Sequence, residues 1–115
     1  MSKRDNLLLV QDMLDSAKKI QDYTEDYSFE QFIDDDKTID AVVRNFEIIG
    51  EAATRIHPDF QIENPQIPWK KLKGYRNRLI HEYFGVDYQI VWDIISDDLK
   101  FLVKNLNKIT GPNNV

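Results

Sequence analysis

The chain has 115 residues, a formal net charge of -5, no cysteine and two histidines. One domain spanning residues 1–115 fits that length, and the missing thiols exclude a disulfide framework, a thiolate metal site and a thiol nucleophile. No stretch approaches the roughly 20 apolar residues of a membrane span, and the charged start is followed by an amphipathic pattern rather than a signal-peptide core, so a cytoplasmic protein without membrane contact is expected.

The first element is a helix from about residue 4 to 25, with Leu7, Val10, Leu14, Ala17, Ile20 and Thr24 on one face. Ser28 with Gln31 three residues on reads as a capping box opening a short helix through Phe29, Phe32 and Ile33. Asp34, Asp35 and Asp36 suit the first turn of the next helix, where negative charge is favoured. That helix runs from about 37 to 57, with a seam of Ile39, Val42, Phe46, Ile49, Ala53 and Ile56. Arg44, Glu47 and Glu51 share a second, polar face, for which intrahelical ion pairing is the plain reading. His57 fits the description of a capping or surface residue and receives no functional role.

Residues 58–68 hold three prolines and read as the one long loop. Pro68 suits the first position of a fourth helix running from Trp69 to about Tyr83, with Gly85 as its terminator. Asp87 then caps a last helix through Ile90, Val91, Ile94, Leu99, Leu102 and Leu106, and the tail from Gly111 to Val115 should fray. No strand alternation or repeat is visible. The expected fold is all-α: an up-down bundle of four main helices plus one short one.

The fourth helix carries the chemistry. Lys70, Lys71, Lys73, Arg76 and Arg78 fall within residues 70–78 with no acid among them, a basic segment on an acidic body. Trp69, Leu72, Arg76, Leu79 and Tyr83 follow three- and four-residue steps, so a guanidinium should sit within an apolar stripe. Burying it without a partner is expensive, so a carboxylate such as Glu47, a carbonyl, a partner subunit or a ligand phosphate should meet it. His81 lies five residues later, about 140° round a straight helix. For the two to act on one ligand, the arginine must reach round, the helix must loosen before Gly85, or a second subunit must complete the site.

Arg offers a fixed fork of donors suited to phosphate, and His moves protons near neutral pH. Those are the two functions that metal-free RNA cleavage needs: an acid or base for the 2'-hydroxyl and leaving oxygen, and a cation for the charge at phosphorus. One candidate His per chain is few for both proton roles, and a two-fold dimer would bring two His and two Arg into one cleft. Asn77, Arg78 and Lys73 are candidates for substrate binding and support beside Arg76 and His81.

The segment from Pro68-Trp69 through Arg76-Asn77-Arg78-Leu79-Ile80-His81-Glu82-Tyr83 to Gly85-Val86-Asp87-Tyr88, with Arg44-Asn45-Phe46-Glu47 through Ala53 upstream, resembles the HepT-like branch of the HEPN superfamily over nearly the whole chain. The resemblance implies a HEPN-like helical homodimer and a metal-independent endoribonuclease toxin, with Arg76 and His81 catalytic at the dimer interface. It also implies a minimal nucleotidyltransferase antitoxin as partner, which transfers AMP onto Tyr83. RNA is then the substrate, and neither a metal nor another cofactor is expected. Two alternatives stand beside this reading: a non-catalytic helical or nucleotide-binding partner of a nucleotidyltransferase, and a structural dimer with Arg76 and Tyr83 at its interface.

Overall fold

The computed structural model describes residues 3–81 and 85–111, His81 by its backbone alone. Helix α1 (Lys3–Thr24) buries Val10, Leu14, Ala17, Ile20 and Thr24, with Leu7 half-buried, on the expected face. The Thr24 hydroxyl donates to the Ile20 carbonyl at 2.8 Å as the helix ends. The short α2 (Phe29–Ile33) opens with the capping box: Gln31 N–H donates to Ser28 Oγ at 3.1 Å, and Ser28 N–H to Gln31 Oε1 at 2.8 Å. Its Phe32 is buried against the Trp92 ring, 5.3 Å between centroids.

Asp35 caps α3 (Asp36–Arg55). It accepts from Thr38 N–H at 3.1 Å, from the Thr38 hydroxyl at 2.7 Å and from the Tyr27 hydroxyl at 2.6 Å. Those three bonds hold its carboxyl below the ordinary carboxylate pKa, with the Tyr27 bond the largest cause. The whole α3 seam is buried: Ile39, Val42, Phe46, Ile49 and Ala53, with Ile56 just beyond. α1 packs along α3 on one side and along α8 (Leu99–Thr110) on the other. Leu99, Leu102 and Leu106 of α8 complete this core.

The prolyl segment is not all loop. Pro58–Glu63 form a helix, α4, because Pro58 suits a first turn and His57 supplies the cap. His57 Nδ1 accepts from Asp59 N–H at 3.1 Å, and Asn6 Oδ1 on α1 accepts from His57 N–H at 3.1 Å. Only the stretch from Asn64 to Pro68 remains irregular.

The fourth helix is also shorter than its periodicity implies. It divides at Gly74 into α5 (Trp69–Lys73) and α6 (Tyr75–Leu79). Pro68 precedes the first helical residue, as the cap position. Gly74 N–H is shared by the Lys70 and Lys71 carbonyls, each at 3.2 Å, which is how one helical turn closes before the next begins. Ile80–His81 (β1) then pairs antiparallel with Gly85–Val86 (β2), Ile80 opposite Val86 and His81 opposite Gly85. Gly85 has φ +76, the left-handed geometry foreseen for it, but at a strand rather than a helix end.

Asp87 caps α7 (Tyr88–Asp93), accepting from Ile90 N–H at 3.1 Å. The chain continues without a break through a π-helical turn, Ile94–Asp98, into α8. Apart from β1 and β2, the described residues form an all-α bundle, as expected. None of its helices is long and apolar enough to cross a membrane. Residues 112–115 of the expected tail lie outside the described residues.

Candidate active site

The wall of the site is built by α5 and α6, and the loop before them is tied down. The Trp69 indole N–H donates to the Gln61 and Asn64 carbonyls at 3.1 and 2.9 Å, while its ring is buried with Ile67 and Leu72. Behind this wall, Gly50 of α3 faces the Leu72 carbonyl so closely that a Cβ would meet the oxygen at 2.8 Å. A glycine inside a 20-residue helix normally weakens it. Here it lets the backbones of α3 and α5 approach directly, and Gly50 itself lines the cleft beside that contact.

Tyr75, not Arg76, turns into the core. Its ring meets Phe46 edge-on at 5.1 Å and is almost fully buried. Burial drives its phenol pKa well above the ordinary value, with the Asp98 charge adding to this and Arg78 opposing it. Leu72 can be followed at a three- or a four-residue step, and the aromatic takes the buried place because desolvating a guanidinium is far more costly.

Arg76 is therefore exposed, contrary to the stripe expected for it. It lines a cleft of about 340 Å³ together with Lys73, Glu47, Gly50, Glu51 and Thr54. No ion pair joins Arg76 to Glu47 among the described residues. Lys73 Nζ donates to Gln61 Oε1 at 2.9 Å, which steadies it on the rim. Arg76 and Lys73 are thus brought together. Arg78 is not with them: it lines a second, shallower groove of about 660 Å³ with Pro68, Trp69, Lys70, Lys71 and Gly74. Lys71 is engaged in an ion pair with Asp98 of the π turn. Asn77 is exposed on α6 between the two sets.

His81 does not continue the helix. α6 ends at Leu79, and the Leu79 carbonyl accepts from Asp87 N–H at 2.8 Å, closing the β1–β2 segment. The helix does loosen before Gly85, one of the three conditions named for a joint Arg–His site. The His81 side chain and Tyr83 lie outside the described residues. Glu51, like Arg44, is exposed, and Glu47 is half-buried. Neither glutamate forms the intrahelical ion pair expected of them among the described residues. Gly50 and Thr54 were not singled out from the sequence. The signal for Gly50 was there, as an isolated glycine inside an apolar helical seam usually marks close packing. Among the described residues no three His, Cys, Asp or Glu side chains gather as a metal site.

The chain is 40% identical over 95% of its length to "Putative RNase MJ0127" of Methanocaldococcus jannaschii, covering 90% of that protein. It is 42% identical over 92% of its length to "Putative RNase MJ1380" of the same organism, covering 97% of it. With "Probable ribonuclease HepT" of Thermococcus cleftensis it shares 37% identity over 93% of its length and 97% of the relative. No solved structure matches it. The family model described as Ribonuclease HepT-like matches residues 13–109, from within α1 to the last turn of α8. By this match and these relatives, the chain belongs to the HepT-like ribonuclease family.

Proposed function

We propose that the protein is a metal-independent endoribonuclease toxin that cuts RNA at a site shared between two subunits. The observation that carries this reading is the exposed Arg76 guanidinium, without an ion-pair partner among the described residues, on a cleft immediately before β1 in a chain of this family. A guanidinium left free in this way is available to phosphate.

In the reaction, His81 takes the proton of a ribose 2'-hydroxyl. The freed oxygen attacks the adjacent phosphorus, and the 5'-oxygen of the next nucleotide leaves with a proton from His81 of the partner subunit. Arg76 stabilises the negative charge gathered on the phosphoryl oxygens in the transition state. The products are a 2',3'-cyclic phosphate and a 5'-hydroxyl. Asn77 orients the phosphate or the imidazole, and Lys73 and Arg78 hold flanking phosphates.

Control in this reading falls to a minimal nucleotidyltransferase antitoxin. The Tyr83 phenol oxygen attacks the α-phosphorus of ATP, pyrophosphate leaves, and the resulting AMP group adds bulk and negative charge two residues after His81 in the sequence, excluding RNA. Growth after induced expression, in a host lacking the antitoxin, tests the proposal. Wild type should arrest growth, and His81→Ala at equal soluble level should not. If both are harmless, the chain is a non-catalytic partner of the transferase instead.

A further inference from the structure

The Arg76 cleft is not the wall of cations that phosphate binding alone would favour. Lys73 and Arg76 face it from α5 and α6, while Glu47, Glu51 and Thr54 face it from successive turns of α3. Two carboxylates beside a phosphate site repel the phosphate. A ligand that satisfies both walls must present negative charge on one side and hydrogen-bond donors on the other. Ionised carboxylates accept and never donate, so the donors must come from the ligand.

A nucleotide of single-stranded RNA has this polarity: phosphate at one end and a base edge at the other. Unpaired bases are the part of RNA that proteins read by their Watson–Crick edges. Among the four bases, guanine offers two adjacent N–H donors on that edge, matching the two oxygens of one carboxylate. The cleft, about 340 Å³, is within the range of a single small-ligand site. Glu47 is half-buried, whereas Glu51 is exposed, so a hydrogen bond to Glu47 is less weakened by water.

We infer that Glu47 is a specificity-determining residue which accepts from the Watson–Crick edge of an unpaired guanine, while Arg76 holds the phosphate attached to it and Lys73 a neighbouring one. This rests on the ribonuclease reading. It predicts that cleavage falls next to guanine in unpaired RNA, a preference lost when the carboxylate is changed. Glu47→Gln keeps the size but replaces one acceptor oxygen by a donor, and Glu47→Ala removes the contact.

The test has two readouts on the purified full chain. One is sequencing of cleavage sites in a randomised single-stranded RNA pool, for wild type, Glu47→Gln and Glu47→Ala. The other is equilibrium binding of labelled tetranucleotides that differ only in G, A, C or U at one position, made with His81→Ala so that no cleavage intervenes. The inference expects about a tenfold preference for G in both readouts, collapsing in both Glu47 variants, since a good bidentate base contact discriminates by about that factor. Uniform slowing with an unchanged base distribution would overturn it and make Glu47 a support for Arg76. Absence of cleavage by wild type, with the binding preference intact, would remove the ribonuclease reading but leave the guanine site standing. Absence of any base preference in binding would remove the site.

Discussion

The backbone carbonyl of Leu72 on α5 lies against the Cα of Gly50 on α3, with room for a hydrogen but not for a methyl group, whose carbon would stand 2.8 Å from the oxygen. The contact is with backbone, which cannot rotate away as a side chain can. Gly50→Ala should therefore push α5 outward and destabilise the fold by about 1–3 kcal/mol, the range for overpacked sites, despite alanine's better helix propensity. Thermal unfolding followed by circular dichroism measures this. A melting temperature equal to or above wild type would show that α3 and α5 have slack.

Asn6 joins the start of the chain to the end of α3. Its side chain is buried, and its Oδ1 receives the His57 N–H at 3.1 Å. Asn6→Ala strands that donor and should lower stability by about 1–3 kcal/mol. Denaturant titration reads the loss directly, and a change below the error of the measurement would mean that water replaces the asparagine.

Acid should weaken the junction between α2 and α3. Hydrogen bonds from Tyr27 and Thr38 hold the Asp35 carboxyl below its ordinary pKa. A group with a folded-state pKa below its unfolded value contributes stability that is complete above the unfolded value and is lost as pH falls through the folded one. Tyr27→Phe removes the largest cause, so its destabilisation should be present at neutral pH and fade on acidification below the carboxylate range. Chemical denaturation across that range checks it, and a pH-independent difference would contradict it.

Arg78 and Arg76 should separate in salt titrations. Arg78 lines the outer groove with Lys70 and Lys71, away from the Arg76 cleft. A purely phosphate-holding Arg78 predicts that Arg78→Ala weakens RNA binding alike for all sequences and lowers the slope of log affinity against log salt by about 1. Fluorescence anisotropy at several salt concentrations gives that slope, and an unchanged one would remove Arg78 from the RNA path.

Much of the architecture was legible because it is carried by local chemistry. The α1 and α3 faces, the Ser28–Gln31 box and the Asp87 cap each follow from residues within one or two turns of one another, while the acidic run read as a first turn supplies Asp35 as the cap just before it. What was not legible depends on long-range packing. The run from Trp69 onward keeps a helical period through Gly74, so the break is invisible without knowing that Tyr75 must reach Phe46. The three prolines of residues 58–68 suggest irregular chain, but Pro58 favours the turn that His57 caps. The π turn at Ile94–Asp98 adds a residue to one helical turn without any breaker to announce it. At the site, the sequence drew attention to Arg76 and Lys73, and the fold sets them on one cleft. It put Arg78 in the same group, but two residues beyond Arg76 on α6 its side chain leaves the helix about 200° round, into another groove.

The most direct measurement is cleavage of a labelled RNA by purified protein in the presence of EDTA, comparing wild type with Arg76→Ala and His81→Ala. Arg76 is exposed, so its removal should leave the melting temperature nearly unchanged. Wild type should cut and leave 2',3'-cyclic phosphate ends, and each variant should lose about a hundredfold or more of the rate, the scale of a lost acid–base or electrostatic contribution. Full activity in either folded variant, or wild-type activity that appears only with an added divalent metal, would contradict the account.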